Sequence, residues 1–459
     1  MTAPASWQHH TKATLFLSLP LIIGQIAMIG IWTVDILMMG WISTDALAAG
    51  TQANRLYQPF YFIALGLTIA VSPLTAQALG AFRRREARRV MRQGIWLATI
   101  YGAITMVPMW YGESLLLFMQ QEPAVARDAG PFLRMLAPGM IPTYIYFVLR
   151  HYVSAHNRPM PPVIINLIGV GINLLLNQVL AYGWFGLPAL GIAGIGLGTT
   201  LTFTIMAVML SIYVATRKPF RFTRPFARMF RLDTTIMKRL LLVGFPIGIT
   251  LLAETGMFIF AGLYIGIFGT LAVAASGIAN QIAAVAFMVP LAISQASTIR
   301  VGHAAGRRHV GDIFRAAITA LMLTIVICLA LTLLLVADLE IFIAAFLNAD
   351  DPQYDQVMAI AIPMVLIVAF FQLVDGLQAV FTAILRGIND TRIPALASTF
   401  SYWGVGVASG IGLASGLGWG PIGMWWGLFL GLAMGSLLLG WRCVVTWRRI
   451  LQGGRIVQV

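Results

Sequence analysis

Long apolar runs, each about one bilayer thick, alternate with short polar connections along nearly the whole chain. A helix needs about 20 mostly apolar residues to cross hydrocarbon. Runs of that kind fall near 14–40, 56–80, 93–118, 130–150, 161–182, 187–214, 239–268, 274–299, 313–337, 356–385, 394–416 and 420–441. They predict twelve membrane-spanning helices, and so an all-α polytopic membrane protein. Barrel strands would show short alternating segments instead. About ten polar residues precede the first run, with no small-residue cleavage pattern, which reads as a retained first helix rather than a signal peptide.

Composition agrees. The 459 residues are 59% hydrophobic and 10% charged, with a mean hydropathy of +0.85, against about 25% charged residues in soluble domains. A net charge of +14 suggests nucleic acid until the charges are placed. The connections after runs 2, 4, 6, 8 and 10, with both termini, hold 27 of the 30 basic residues; the opposite face has only Arg55, Arg127 and Arg134. That opposite face also carries the acids Asp45, Glu113, Glu122, Asp128, Asp338, Glu340, Asp350, Asp351 and Asp355. So one-sided a split is a positive-inside signal and predicts cytoplasmic termini. Basic runs such as Arg83-Arg84-Arg85 then serve as topology determinants and lipid-headgroup contacts, not as a nucleic-acid surface. Trp41, Trp110, Trp184 and Trp419 mark the outer interface, and Trp441 and Trp447 the inner one. Cys328 and Cys443 give no disulfide framework or metal site and read as small apolar fillers.

The two halves repeat. A shift of 226 residues lays Pro20 on Pro246, Gly40 on Gly266, Ala53-Asn54 on Ala279-Asn280, Gly80 on Gly306 and Arg89 on Arg315. Residues 20–92 against 246–318 give 17 identities in 73 ungapped positions, where composition alone predicts about six. Asn157 and Pro162 match Asn389 and Pro394 at a shift of 232. Six runs per half make this a parallel repeat, with a pseudo-twofold axis expected along the membrane normal. The expected organisation is an N-lobe (1–214), a basic cytoplasmic linker (215–238) and a C-lobe (239–459), two six-helix lobes around a central cleft.

Three acids interrupt the apolar runs: Asp35, Glu254 and Asp375, with no Lys or Arg in the interior of the same runs. A carboxylate at membrane depth costs about 2.5–3.5 kcal/mol on insertion scales. Each acid is therefore expected to be protonated, to hold a cation, or to face a watery cavity. Helical spacing puts Ile31, Trp32, Met38 and Met39 on the face of Asp35, a soft polarizable wall. Asn173 and Asn177 lie one turn apart on one face of the fifth run, placed either to share a cation with Asp35 or to glue helices together. Thr250 and Phe258 share the face of Glu254; Phe371 and Gln378 flank Asp375 by one turn. In repeat coordinates Glu254 falls on Met28 and Asp35 on Ala261, so the halves share a scaffold but not a site. All six histidines fall at the ends of runs or in connections, and no catalytic or metal-ligand spacing appears, so no cofactor is expected. Gly191, Gly194, Gly196 and Gly198 follow no strand and read as close helix packing or a turn, not a phosphate loop. Pro20, Pro246, Pro290 and Pro363 read as points where helices kink or bend.

These residues carry a resemblance. Val34-Asp35-Ile36-Leu37-Met38, Asn173 with Asn177 ahead of Gly183-Trp184-Phe185-Gly186-Leu187-Pro188, Gly244-Phe245-Pro246 with Glu254, Arg300-Val301-Gly302-His303, Asp375, and Leu385-Arg386-Gly387-Ile388-Asn389-Asp390-Thr391 together resemble the multidrug and toxic compound extrusion (MATE) family of the bacterial NorM type. The likeness runs over essentially the whole chain. It implies a monomeric antiporter in the bacterial inner membrane, contacting membrane lipids. Such a protein exports amphipathic, often cationic small molecules in exchange for Na⁺ or H⁺. On that likeness Glu254 and Asp375 form a C-lobe cation site, and Asp35 with Asn173 and Asn177 an N-lobe site. Trp32, Met38, Met39, Phe258, Phe371 and Gln378 are the expected substrate-lining residues. The chain departs from the family pattern at Phe371, where some relatives have a tyrosine near the cation, and at Ala181, where some carry a second N-lobe acid.

Other classes fit less well. A lipid or lipid-linked sugar flippase on a related scaffold would line its cavity with cations to hold phosphates, and basic residues stand in these runs only near their ends. A membrane-embedded transferase would need a sizeable polar loop with catalytic groups, and the outer connections are short. A channel sits poorly with a single-chain twofold repeat whose acids are asymmetric.

Overall fold

The structure, a computed structural model, describes residues 6–348, 352–454 and 456. Asp350, Asp351 and Arg455, which enter the charge split above, lie outside the described residues. Helices follow one another as α1 (Trp7–Ile42), α2 (Thr44–Ile69), α3 (Val71–Gly80), α4 (Arg84–Trp110), α5 (Gly112–Phe118), α6 (Pro123–Leu136), α7 (Met140–Ala155), α8 (Met160–Tyr182), α9 (Ile192–Thr216), α10 (Thr234–Ile265), α11 (Thr270–Gly306), α12 (Val310–Ala337), α13 (Leu339–Ala344), α14 (Tyr354–Gly387), α15 (Arg392–Thr399), α16 (Ala408–Ile411) and α17 (Gly420–Leu451). Among the described residues there is no strand.

Every predicted run is helical, and the departures have local causes. Among the described residues, ten helical stretches are long and apolar enough to cross a membrane. The other two predicted runs fall in α4 and in 392–416. The first two turns of α4 are rich in arginine, and the rest includes Gln93, Trp96 and Tyr101. The 392–416 stretch is broken into α and π segments, the latter at Phe400–Val407 and Gly412–Gly416. The run expected near 130–150 is two helices, α6 and α7, joined by a tight turn at Ala137–Gly139 around Pro138, which cannot donate a helix hydrogen bond. The run expected from 187 starts at Ile192, because Leu187 is extended and Gly191 has a φ of +56°. Helix α2 starts on Ser43, whose Oγ accepts from the Ala46 N–H at 3.0 Å, and Asp45 in the first turn suits the helix dipole.

The repeat is written into the turns as well as the sequence. Phe82 and Arg308, 226 residues apart, both take left-handed φ near 58°. The turn N–H groups that follow them bond back identically: Arg83 to Ala78 O, and His309 to Ala304 O. Asn157 and Asn389, 232 apart, share φ of 58° and 62°, with N–H bonds to Ser154 O and Arg386 O. Asparagine tolerates this conformation better than most residues, which is why it is the residue matched there.

Packing divides the chain into two compact units, Ile23–Gly248, and Met1–Ile22 with Ile249–Val459. Helices α1 and α10 each contribute one part to either unit. In the first unit the early part of α10 lies against α2 almost backbone to backbone. A Cβ added at Gly66 would sit 2.1 Å from the Gly248 N, and one at Gly244 would sit 2.7 Å from the Leu67 Cα. The glycine of the Gly244-Phe245-Pro246 motif is therefore a packing requirement. In the second unit Arg300 of α11 holds the start of α1, donating from Nη1 to Thr14 Oγ1 at 2.6 Å and to the His10 carbonyl.

The same unit supplies a test of its packing. Glycines of α17 meet the π-containing stretch so closely that a Cβ at Gly427 would fall 2.2 Å from the Gly410 Cα. Backbone cannot yield as a side chain can. We expect Gly427→Ala to cost about 1–3 kcal/mol or more through overpacking. Gly171→Ala, with nothing within 4 Å of the new methyl, should be neutral or slightly stabilising. Thermal unfolding of both purified variants checks this: equal midpoints would contradict the backbone contact.

Candidate functional site

Helix α1 carries Asp35 into the interior of the first unit, where the residue is only 2% exposed. Asn173 and Asn177, one turn apart on α8, are fully buried and reach it from across the packing seam. Both donate through Nδ2 to Asp35 Oδ1, at 3.1 and 2.7 Å. A third donor comes from α9: Thr199 Oγ1 donates to Asp35 Oδ2 at 2.7 Å. Hydrogen bonds to a charged group contribute about 1.5–3 kcal/mol each, so three of them offset the insertion cost of a carboxylate. No basic side chain is needed to keep Asp35 there. The amide of Asn177 turns its Oδ1 the other way, buried and without a hydrogen-bond partner. That oxygen lies over Gly198, where a Cβ would be 2.1 Å from it. Of the expected glycine series, Gly194 and Gly196 also meet neighbouring backbone, at Leu180 and Phe132. They are packing glycines as expected, and Gly198 makes room for a site atom.

The second unit assembles a different cluster. Asp375 on α14 is 6% exposed and lies in electrostatic reach of Glu254 on α10. Tyr402, from the π segment, turns its hydroxyl to Glu254 and stands near both acids. Its ring is buried and its hydroxyl also accepts from Gln378 Nε2. Gln378 Oε1 is buried without a partner and rests over Gly435, where a Cβ would be 2.9 Å away. Phe371 offers no hydroxyl one turn before Asp375; Tyr402 brings one to these acids from another helix.

One expectation is corrected. The acids were read as having no basic company, with Arg386 assigned to a connection. Arg386 belongs to the last turn of α14, is half-buried, and has Glu254 and Tyr402 as electrostatic neighbours. Arg150, also assigned to a connection, is 6% exposed inside α7 and donates from Nη2 to Gln25 Oε1. A linear run shows only charges adjacent in sequence, whereas an arginine at a helix end reaches an acid on a neighbouring helix. Buried cations therefore do exist within the helices.

The structure brings Asp35, Asn173 and Asn177 together, and Glu254 with Asp375 and Gln378. The expected lining residues are dispersed. Trp32 joins an aromatic cluster in the first unit, its ring 5.6 Å from Tyr57 and 5.9 Å from Tyr61. Met38 and Met39 are fully buried, with Met39 filling the space over Gly50. Phe258 is partly buried against the core of the second unit, and Phe371 packs 6.3 Å from Trp425. Sequence reading missed Thr199, Tyr402 and Arg386. Thr199 directly follows Gly198 in a glycine-rich helix start, the one signal that could have pointed to it.

A helical membrane protein built from a duplicated six-run unit, with a caged carboxyl in one packing unit and a pair of acids in the other, has the features of a transporter. The MatE family model matches the chain twice, at residues 20–179 and 246–411, and the chain belongs to that family. The two matches start 226 residues apart and end 232 apart, the same two shifts that relate the halves in sequence. The chain is 38% identical over 435 residues to the probable multidrug resistance protein NorM of Mesorhizobium japonicum, covering 94% of this chain and 93% of the relative. It is 36% identical over 450 residues to the protein of the same name from Agrobacterium fabrum, covering 98% and 97%. Among solved structures, the eukaryotic MATE transporter AtDTX14 superposes with a TM-score of 0.85 at 20% identity, covering 98% and 99%. A Vibrio cholerae MATE transporter, VcmN, gives a TM-score of 0.87 at 16% identity over the same shares.

Proposed function

We propose that the protein is a secondary active antiporter of the bacterial inner membrane that exports amphipathic, often cationic compounds in exchange for Na⁺ or H⁺. The observation that carries this is the Asp35 cage: a buried carboxylate held by three neutral donors, with the oxygen of Asn177 left over. A buried carboxyl so held can take up a proton directly, and a hard cation would be held there once the Asn173 and Asn177 amides turned their oxygens toward it. Glu254 and Asp375 supply a second acidic site in the other unit. Relatives more than 30% identical over nearly their whole length bear the name multidrug resistance protein, which supports drug-like substrates and disfavours a flippase. Both termini lie in the cytoplasm on this reading, because 27 of 30 basic residues fall on one side. It acts as a monomer, its basic loops against lipid headgroups.

The cycle exposes the acids to one side of the membrane and then the other. Outside, an acid takes up H⁺ or Na⁺ and its hold on a cationic substrate weakens; inside, the ion leaves and substrate returns. Linkage makes the effect reciprocal: the factor by which the ion loosens the drug is the factor by which the drug loosens the ion.

Proteoliposomes test this. Ethidium movement is expected to follow an imposed Na⁺ gradient or an imposed pH gradient, each applied alone, and to stop when the gradient is abolished. Movement of a fluorescent lipid, with ethidium unaffected by either gradient, would instead identify a flippase.

A further inference from the structure

A pocket of about 250 Å³ lies well away in sequence from either acidic cluster. It is lined by Arg88, Arg89, Arg92, Arg228 and Arg231, with Leu232, Asp233 and Thr234. Five arginines thus line one small cavity with a single acidic residue, and that carboxylate is partly taken: Asp233 Oδ2 is 3.8 Å from Arg89 Nη1. Pockets that bury drug-sized ligands run from about 300 to 1,000 Å³, so this one is too small for an exported drug and large enough for a phosphate group.

The cavity is built, not an accident of mobile side chains. Three residues of α4 clamp the chain segment that precedes α10. Arg92 Nη1 donates to the carbonyls of Ala227 and Arg228 at 2.8 and 2.6 Å. Gln93 Nε2 donates to Arg231 O at 3.0 Å, and Trp96 Nε1 to Met229 O at 2.8 Å. Arg228 adopts a left-handed φ of 59°, so the clamped segment turns sharply where two of the lining arginines lie. Arg92 itself is 4% exposed, and its Nε is buried with no hydrogen-bond partner. At the position related by the 226-residue shift, Arg315 stacks on the Trp7 ring, 5.6 Å from its centroid, where Arg89 faces Asp233.

We propose that this pocket binds a phosphate-class anion, either the headgroup of an anionic phospholipid or a soluble phosphate. Guanidinium forks match phosphate oxygens in geometry as well as in charge. On the topology proposed above the pocket faces the cytoplasm, where anionic headgroups gather. Occupied, it would tie the start of α4 to the segment leading into α10 through a shared counter-ion.

The test uses the full-length protein in nanodiscs. Phosphatidylglycerol is titrated into zwitterionic discs in one arm, and inorganic pyrophosphate is titrated at low ionic strength in the other, with binding read by fluorescence of the protein's own tryptophans and by thermal shift. Saturable binding of the lipid alone assigns the headgroup; saturable binding of pyrophosphate assigns a soluble ligand. Arg88→Gln with Arg231→Gln is expected to weaken the binding about tenfold or more, as lost charge-assisted hydrogen bonds do. Asp233→Asn keeps an oxygen for the Ile236 N–H that Asp233 now caps and removes the competing charge. It is expected to strengthen binding severalfold, an effect that misfolding would not produce. Absence of saturable binding by either probe overturns the proposal, and so does unchanged affinity in both variants. Neither outcome bears on drug export, which the gradient experiment measures separately.

Discussion

Asp375→Asn and Glu254→Gln are each expected to reduce drug resistance of expressing cells to that of cells lacking the protein, with the variant still present in the membrane at normal abundance. The reason is the geometry of the second unit. Two carboxyls in electrostatic reach of one another cannot both stay ionised without a cation or a proton between them. Arg386 faces Glu254 and answers one negative charge, so the other is left to be neutralised by a transported ion. Replacing either acid with its amide keeps the size and most of the hydrogen bonding but ends that requirement. Coupling free energies of about 1–3 kcal/mol correspond to about 5–150-fold in affinity, and ion-driven ethidium efflux should fall by a factor in that range. Because the acids form one unit, the double variant should be hardly worse than either single one. Wild-type resistance in both single variants at equal abundance would remove these acids from the coupling mechanism. Full additivity in the double variant would separate them.

How much of this could be read without coordinates depends on whether the signal is local. The helices were legible because apolar runs of bilayer length have one physical solution, a helix with its backbone bonds satisfied internally. The repeat was legible because it survives as residues with backbone duties, such as Asn157 and Asn389 at left-handed turns. The acids stood out by their cost in hydrocarbon. Their partners did not. Thr199 is one of many hydroxyls in apolar helices, most of which bond to their own backbone, as Thr202 does to Gly198 O. Tyr402 and Arg386 acquire a role only when α10, α14 and the π segment are packed together. The glycines of α17 likewise acquire their duty only in the packed chain: a Cβ at Gly427 or Gly431 would fall 2.2 or 2.7 Å from the Cα of Gly410 or Gly406. Met38 and Met39 show the reverse failure. Their spacing puts them on one helix face with Asp35, but spacing does not say whether that face meets an open space or another helix; both are fully buried, and Met39 lies against Gly50 of α2.

Asp35→Asn should separate charge from structure in the first unit. The amide is the same shape as the carboxylate, and one end remains an acceptor for the Nδ2 groups of Asn173 and Asn177. The other end becomes a donor facing Thr199 Oγ1, whose hydroxyl can rotate to accept. The fold should therefore survive, with an unfolding midpoint within a few degrees of wild type, while ion-driven drug flux in proteoliposomes falls about tenfold or more. Asp35→Ala is a different experiment. It removes the shared acceptor of two buried amides and a hydroxyl, leaving Asn173 Nδ2 only Thr199 Oγ1 at 3.3 Å and Asn177 Nδ2 only Asn173 Oδ1 at 3.5 Å; at about 1–3 kcal/mol for each group left unsatisfied, it should lose stability as well as transport. Gly198→Ala completes the set from the far side: the charge is untouched, but the new methyl needs the space of Asn177 Oδ1 and should push that amide off Asp35. If the cage serves only to glue α1, α8 and α9 together, stability and transport will fall in step across all three variants. If it holds the transported ion, Asp35→Asn will be stable and inactive, and that dissociation is the expected result. Full ethidium flux in Asp35→Asn would leave the cage with a purely structural role and restrict coupling to Glu254 and Asp375.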